Sequence, residues 1–339
     1  MGRAERATIA MIAREAGVSV PTVSRVLNGR NDVAAATRSR VEALLTEHGY
    51  QRRSGTSATP APVVDLVFHE LDGAWAIEVI RGVTRVARDE GLMVVVTESA
   101  PRTTPGQEWV DAVLARRPTG VILVVFDLSP KRRAQLTTRS IPFVLLDPAG
   151  EPAEGVPAIG SANWNGGLAA ARHLLELGHR RIGVIGGPDT LLCSRARLDG
   201  YRAAMDMAGL PIDPALVRTG DFHIEGGYRN GLALLGLPNP PTAVFAGSDL
   251  QALGVYEAAR ELGVRVPGDL SVVGYDDLPV ARWAGPPLTT IHQPLAEMAE
   301  MAARMVITMG RGEEPVTRRF DLATSLVVRQ STAPPRGGD

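Results

Sequence analysis

One cysteine, Cys193, stands alone in the chain, which excludes an intrachain disulfide and any metal site built from several thiolates. Lysine is equally scarce, occurring only at Lys131, so arginine carries nearly all the positive charge and no arginine is notable for its type alone. Aromatic residues make up 4% of the chain, and its interior must therefore be built from Ala, Val, Leu and Ile. Long apolar runs are missing: stretches such as Val121–Phe126 are far too short to span a bilayer. Charges at Arg3, Glu5, Arg6 and Arg14 break up the first residues, which do not resemble a secretory signal. A soluble, cytoplasmic protein without a membrane partner is expected. The motifs of common enzymes are absent too. No G-x-G-x-x-G follows the first strand-like run, and there is no P-loop, H-E-x-x-H pair or G-x-S-x-G elbow. Neither catalysis nor a bound metal or cofactor is expected.

What is present is unevenly distributed. Residues 1–53 hold nine arginines against five acids, a net of +4, whereas the whole chain of 339 residues carries −1. A basic head on an acidic body suggests that the head alone meets a polyanion. A solvated helix face would also account for the charge, so patterning has to decide.

Residues 8–50 read as three short helices. Thr8 is placed to cap the first, to about Ala16, with Gly17 as the turn. Ser19 caps a second over Val20–Leu27, with Pro21 in its first turn, where a missing N–H does no harm. A third covers about Ala35–His48. The small, polar, proline-rich stretch 51–62 is a linker. From Val63 onward, apolar β-branched runs alternate with amphipathic stretches. The runs are Val63–Phe68, Met93–Thr97, Val121–Val125, Phe143–Leu146, Ile182–Ile185, Ala243–Ala246 and Leu270–Val273. Helices are expected over Trp75–Asp89, Asn165–Leu177, Arg195–Ala208, Asp249–Leu262 and Leu295–Met309. Continuous apolar strands separated by helices imply parallel sheets covered on both faces. There are too many for one sheet, so the α/β body divides into two doubly wound subdomains with a cleft at the carboxyl ends of their strands.

The run from Ala16 to Asn28, Ala-Gly-Val-Ser-Val-Pro-Thr-Val-Ser-Arg-Val-Leu-Asn, resembles the helix-turn-helix of the lactose/galactose repressor (LacI/GalR) family. The likeness continues through Leu177–Ile182, Arg197–Tyr201, Gly247–Asp249, Val273–Asp277, Pro287–Pro294 and Leu326–Ser331, and so covers nearly the whole chain. It implies an all-α DNA-binding head at 1–50 and a periplasmic-binding-protein-like effector and dimerisation body at 63–331. The body's N-subdomain is expected at about 63–160 and 290–320, and its C-subdomain at about 161–289 and 321–331. The chain would cross between them near Gly160, Thr289 and Phe320. A disordered tail is expected at 332–339. It carries no heptads for a tetramerising helix, so a homodimer reading an inverted-repeat operator is expected.

Family alignment places Val20, Pro21 and Arg25 at base edges. Arg25 can fork onto guanine, a contact worth roughly 1–3 kcal/mol of discrimination. Ser19, Thr22, Ser24 and Asn28 would hydrogen-bond phosphates, and Thr8 joins them at the start of the first helix. The family's hinge leucine is missing from 52–59, where Arg52 and Arg53 would contact phosphate or the minor groove instead. In the body, the resemblance puts Arg197 and Asp276 in the cleft as hydroxyl-binding charges, with Phe222 stacking and Ser248 as a polar contact. Asp72 and Trp75 come from the first strand–helix loop. Asp127 and Asp147, just past strand ends, and Asn163 at the first crossover complete the set. Trp75 and Phe222 could equally be core, Asp147 a turn residue, and Asp249 a helix cap. The implied function is a repressor of carbohydrate-utilisation genes answering to a sugar or oligosaccharide. An activator or dual regulator with a nucleoside or sugar-phosphate effector is the alternative. Whether the effector releases or recruits DNA stays open.

Overall fold

A computed structural model describes residues 8–27, 33–48, 50, 61–71, 73–99 and 106–336. The head is formed by helices α1 (Ile9–Glu15), α2 (Val20–Leu27) and α3 (Ala35–Glu47). Ile12, Ala13, Ala16, Val23, Val26, Leu27, Val41 and Leu45 meet in its core. Thr8 Oγ1 accepts from Met11 N at 3.2 Å and caps α1. Gly17, at φ +66°, makes the reversal into α2 in a region that side chains with a Cβ rarely enter.

The body begins with β1 (Ala61–Phe68), so residues 61 and 62 belong to a strand rather than the linker, whose remainder lies outside the described residues. There follow α4 (Gly73–Asp89), β2 (Met93–Glu98), α5 (Gln107–Arg116), β3 (Pro118–Val124), α6 (Pro130–Thr138), β4 (Phe143–Leu146) and β5 (Ala158–Ser161). The second layer set runs through α7 (Asn163–Glu176), β6 (Ile182–Gly186), α8 (Leu192–Met207), β7 (Val217–Thr219), α9 (Ile224–Leu235), β8 (Ala243–Ala246) and α10 (Asp249–Glu261). It continues with β9 (Ser271–Asp276), α11 (Pro279–Trp283) and β10 (Thr289–His292). The chain returns through α12 (Leu295–Gly310), β11 (Arg319–Leu322) and β12 (Ser325–Val327).

Two six-stranded sheets result, in the orders β11-β5-β4-β3-β1-β2 and β12-β10-β9-β8-β6-β7. Pairing is parallel throughout except between β10 and β12. The two flanks of each sheet are covered by separate apolar cores, as parallel sheets require.

The first crossing falls beside the expected Gly160, and the other two lie a few residues beyond Thr289 and Phe320. The crossings fall at Ala162, at Gln293–Pro294 and at 323–324. Thr289–His292 is a strand paired with β9, and Asp321–Leu322 still pair with β5. Both strands are short and polar and carry no apolar run to mark them. The expected tail at 332–339 is also corrected in part. Ala333 N donates to Ser271 Oγ at 3.0 Å, Ser271 Oγ donates to Ala333 O at 2.9 Å, and Arg336 Nη1 meets Asp269 Oδ1 at 2.9 Å. Residues 332–336 are thus held on the body; 337–339 lie outside the described residues.

Among the described residues no helix is long and apolar enough to cross a membrane, and no group of three or more His, Cys, Asp or Glu could hold a metal ion.

Candidate functional sites

The head presents α2 outward by a simple division of its residues. Val23, Val26 and Leu27 face the core, leaving Val20, Pro21 and Arg25 exposed. Ser19 Oγ accepts from Thr22 N at 3.3 Å and lies 2.8 Å from Thr22 Oγ1, so the pair caps the exposed N-terminal end. Thr22 and Ser24 are half-buried at its sides. Of the expected base-edge and phosphate residues, Ser19, Val20, Pro21 and Thr22 gather at the start of α2, Ser24 and Arg25 lie in its last turns, and Thr8 stands apart at the start of α1. Asn28, Arg52 and Arg53 lie outside the described residues.

A second site opens between the sheets. A cavity of about 200 Å³ is lined from both subdomains, by Phe68, His69, Glu70 and Trp75 on one side and Arg197, Phe222, Ser248 and Asp276 on the other. It lies where strands end at their carboxyl edges: His69 follows β1, Val125 follows β3, Asp147 follows β4, Ser248 lies just past β8, and Asp276 closes β9. Val125, Asp147, Phe222 and Asp276 all have positive φ, at 58°, 48°, 69° and 107°. Such backbone persists in non-glycine residues only where surrounding structure over-determines it, and it clusters at functional sites.

Arg197 organises the floor. It comes from α8, whose backbone is reached by α7 because Gly167 has no Cβ: one would sit 2.0 Å from Arg197 O. Its guanidinium is buried, with Nε donating to Asn163 Oδ1 at 2.8 Å, Nη1 to Gly247 O at 2.7 Å and Nη2 to Gln293 Oε1 at 3.1 Å. The plane lies over the Tyr275 ring at 3.7 Å from its centroid, with Phe222 at 5.4 Å. Gln293 Nε2 in turn donates to Ser161 Oγ at 3.1 Å. Arg197 is thereby tied to residues beside two of the three crossings.

Asp276 is buried 3.7 Å from Arg197 Nη1, and its Oδ1 has no hydrogen-bond partner among the described residues. Burial drives its carboxyl well above the usual range, with Arg197 opposing. Asp147 is raised in the same way, by burial first and against the pull of Arg197. The Cys193 thiol on the cavity wall is pushed up to about 12 by burial, and is therefore protonated and unreactive.

The other expected residues divide. Trp75 lines the cavity and packs on the core of the first sheet. Ser248 lines the cavity, donates to Phe222 O at 2.9 Å and caps α10 by accepting from Gln251 N at 3.1 Å. Asn163 stands behind Arg197 rather than on the cavity wall. Asp127 is exposed and outside the cavity, because the turn at Val125 directs that valine inward and leaves Asp127 on the solvent side. Asp72 lies outside the described residues. Asp249 is not the cap expected of it: it is fully buried, accepting from Leu278 N at 2.7 Å and from Thr290 Oγ1. Sequence reading missed His69, Glu70, Asp221 and His223, which line the mouth. His223 Nε2 and Glu70 Oε2 face each other across it at 3.7 Å. Position after a strand end was the signal available for His69 and Glu70.

An exposed helix-turn-helix on a two-sheet body with a cleft defines a ligand-responsive DNA-binding regulator. Residues 8–53 match the "Bacterial regulatory proteins, lacI family" description, and residues 171–332 match the "Periplasmic binding protein-like domain". The transcriptional repressor CytR of Escherichia coli is 31% identical over 333 residues, 96% of each chain. The repressor PurR of Escherichia coli is 32% identical, over 96% of this chain and 97% of that one. Among solved structures, the regulator CelR in complex with cellobiose aligns with a TM-score of 0.74 and 34% identity, covering 96% of this chain and all of that one. The lac repressor dimer bound to operator and the anti-inducer ONPF aligns with a TM-score of 0.70 and 28% identity, over 97% of this chain. This chain belongs to the LacI family of bacterial regulatory proteins.

Proposed function

We propose that this protein is a cytoplasmic, homodimeric repressor of carbohydrate-utilisation genes, whose grip on an inverted-repeat operator is set by a sugar bound between the subdomains. Asp276 carries the reading. A buried carboxyl oxygen with no hydrogen-bond partner among the described residues, beside a guanidinium, suits a group that donates to one and accepts from the other, and a sugar hydroxyl does both. Phe222 and Trp75 supply apolar faces for the ring. The lining holds four carboxyl groups, Glu70, Asp147, Asp221 and Asp276, and a single arginine, Arg197, a donor set that suits the hydroxyls of an uncharged sugar better than a phosphate. The CelR relative was solved with cellobiose and a relative from Enterococcus faecium with ribose, which supports the same class of ligand.

In this reading Arg197, Asp276, Phe222, Ser248, Asp147 and Trp75 hold the effector, with Asn163 positioning Arg197. Ser19, Val20, Pro21, Thr22, Ser24 and Arg25 meet DNA. The chain acts as a regulator rather than an enzyme. The test is a thermal-shift screen of the full-length protein against neutral sugars, sugar phosphates and nucleosides. A ligand at 100 times its Kd adds about 2.7 kcal/mol of stability. A neutral mono- or disaccharide should raise Tm; a response to phosphorylated sugars alone overturns the reading.

A further inference from the structure

Helix α6 carries Lys131, Arg132 and Arg133 in succession, and no acid occurs between Asp127 and Asp147. Elsewhere on the body arginines find acids across the fold: Arg85 pairs with Glu300, Arg311 with Glu90, Arg319 with Glu151 and Arg329 with Asp277. The three cations of α6 make no ion pair among the described residues. Lys131 is exposed and Arg132 and Arg133 are half-buried, so the three keep a solvent-facing side; one N–H of each arginine, Arg132 Nη1 and Arg133 Nε, is enclosed with no hydrogen-bond partner among the described residues.

The position of α6 gives these cations a partner. Arg139, directly after α6, donates from Nε to Leu27 O at 2.9 Å and also from Nη2 to the same oxygen. Leu27 is the last residue of α2, the helix whose other end presents Val20 and Pro21. At the opposite end of α6, Lys131 borders a gap shared with Val33, Ala35, Arg38, Ser39 and Glu42 around the start of α3. The basic helix of the body is thus continuous with the DNA-binding head.

We propose that α6 is an accessory DNA-binding surface, in which Lys131, Arg132 and Arg133 take backbone phosphates beside the half-site read by α2. The proposal rests on the reading of the head as the operator-binding module. The ligand is a phosphate diester backbone, because the donors are cations that approach it without any base-reading geometry of their own. Such contacts strengthen binding to all duplexes alike and steepen its salt dependence. Arg139 acts through the head: by tying off the carbonyl end of α2 it fixes the angle between the two surfaces.

The experiment uses the full-length protein and two duplexes: one selected by it from a random-sequence pool, and one of unrelated sequence. Affinity is measured from low to physiological salt for wild type, Lys131→Gln/Arg132→Gln/Arg133→Gln and Arg25→Ala. Each lost phosphate contact lowers the salt slope by about 0.9. The triple variant should show a slope shallower by about 2 to 3 on both duplexes, with its preference for the selected duplex kept. Arg25→Ala should do the reverse, losing the preference and keeping the slope, so a failure of the head reading and a failure of the α6 reading fall in different variants. Unchanged slope and affinity in the triple variant overturn the proposal, as does a loss confined to the selected duplex. If the triple variant does not fold, the exposed Lys131→Gln alone should lower the slope by about 1, and no change there overturns it equally.

Discussion

Arg197 and Asp276 are neighbours, yet replacing them should have opposite consequences. Arg197 is enclosed by three protein acceptors and two rings, and removing it strands buried acids. Arg197→Ala should therefore cost roughly 3–5 kcal/mol of stability, read as a lowered urea midpoint, and it is a poor probe of ligand binding. Asp276 makes no hydrogen bond through Oδ1 among the described residues and is held in a place that disfavours its charge. Asp276→Asn should leave stability unchanged or raised while weakening the sugar by roughly 0.5–1.5 kcal/mol, the net worth of one hydrogen bond. A sugar Kd unchanged in Asp276→Asn, measured by calorimetry, would place the effector elsewhere. Asp249 supplies a pH test. Burial pushes its carboxyl up to about 7, against the hydrogen bonds from Thr290 and Leu278. The unfolded chain gives up this proton near pH 4 and the folded one near pH 7, so the stability this group contributes is lost as pH rises between them. Asp249→Asn removes that loss. Relative to wild type, its urea midpoint should be higher at pH 8 than at pH 5; a pH-independent difference would mean the carboxylate is not strained by its burial.

The packing of elements depends on a few absent side chains. Gly167 lets α7 lie on the backbone of α8, and Gly200 does the same from α8, where a Cβ would stand 2.1 Å from Trp164 O. Since the opposing atoms are backbone, they cannot give way. Gly167→Ala should lower stability by about 3 kcal/mol or more and disturb Arg197 with it. Gly106, which has open space around it, should tolerate alanine within about 0.5 kcal/mol. Equal urea midpoints for the two variants would remove the packing argument. The same level shows what the sequence makes legible. Val20–Leu27, Phe143–Leu146 and Ala243–Ala246 coincide with observed elements, because an amphipathic helix and a fully buried strand each imprint an apolar pattern. Val217–Thr219, Arg319–Leu322 and Ser325–Val327 left no such trace: they are sheet edges of three or four residues of mixed polarity, because one side meets solvent. Much the same holds for the site. Arg197, Ser248 and Asp276 stand in motifs of recognisable spacing, whereas Phe222 is placed only by the family resemblance. Asp221 and His223 sit in a loop with no period to read, and only the meeting of two subdomains makes them neighbours of Glu70 and His69.

On the scale of the whole molecule, Arg197 joins the cavity to residues beside two of the crossings, through Asn163 and Gln293, and the mouth is spanned by Glu70 and His223 from opposite subdomains. A sugar that contacts both subdomains favours their closed arrangement only by its differential affinity for it. The first subdomain carries α6 and Arg139, which holds the end of α2, so a change in the cleft has a route to the head besides the linker. A coupling of roughly 1–3 kcal/mol corresponds to a change of about 5–150-fold in operator affinity. The most direct measurement is fluorescence anisotropy of the selected operator duplex with wild type and Asp276→Asn, each with and without the sugar that raises Tm. The account predicts equal operator affinity for the two proteins without sugar, a change within the 5–150-fold range for wild type when sugar is added, and little or none for Asp276→Asn. A wild type indifferent to the sugar, or an Asp276→Asn variant that responds as wild type does, would contradict it.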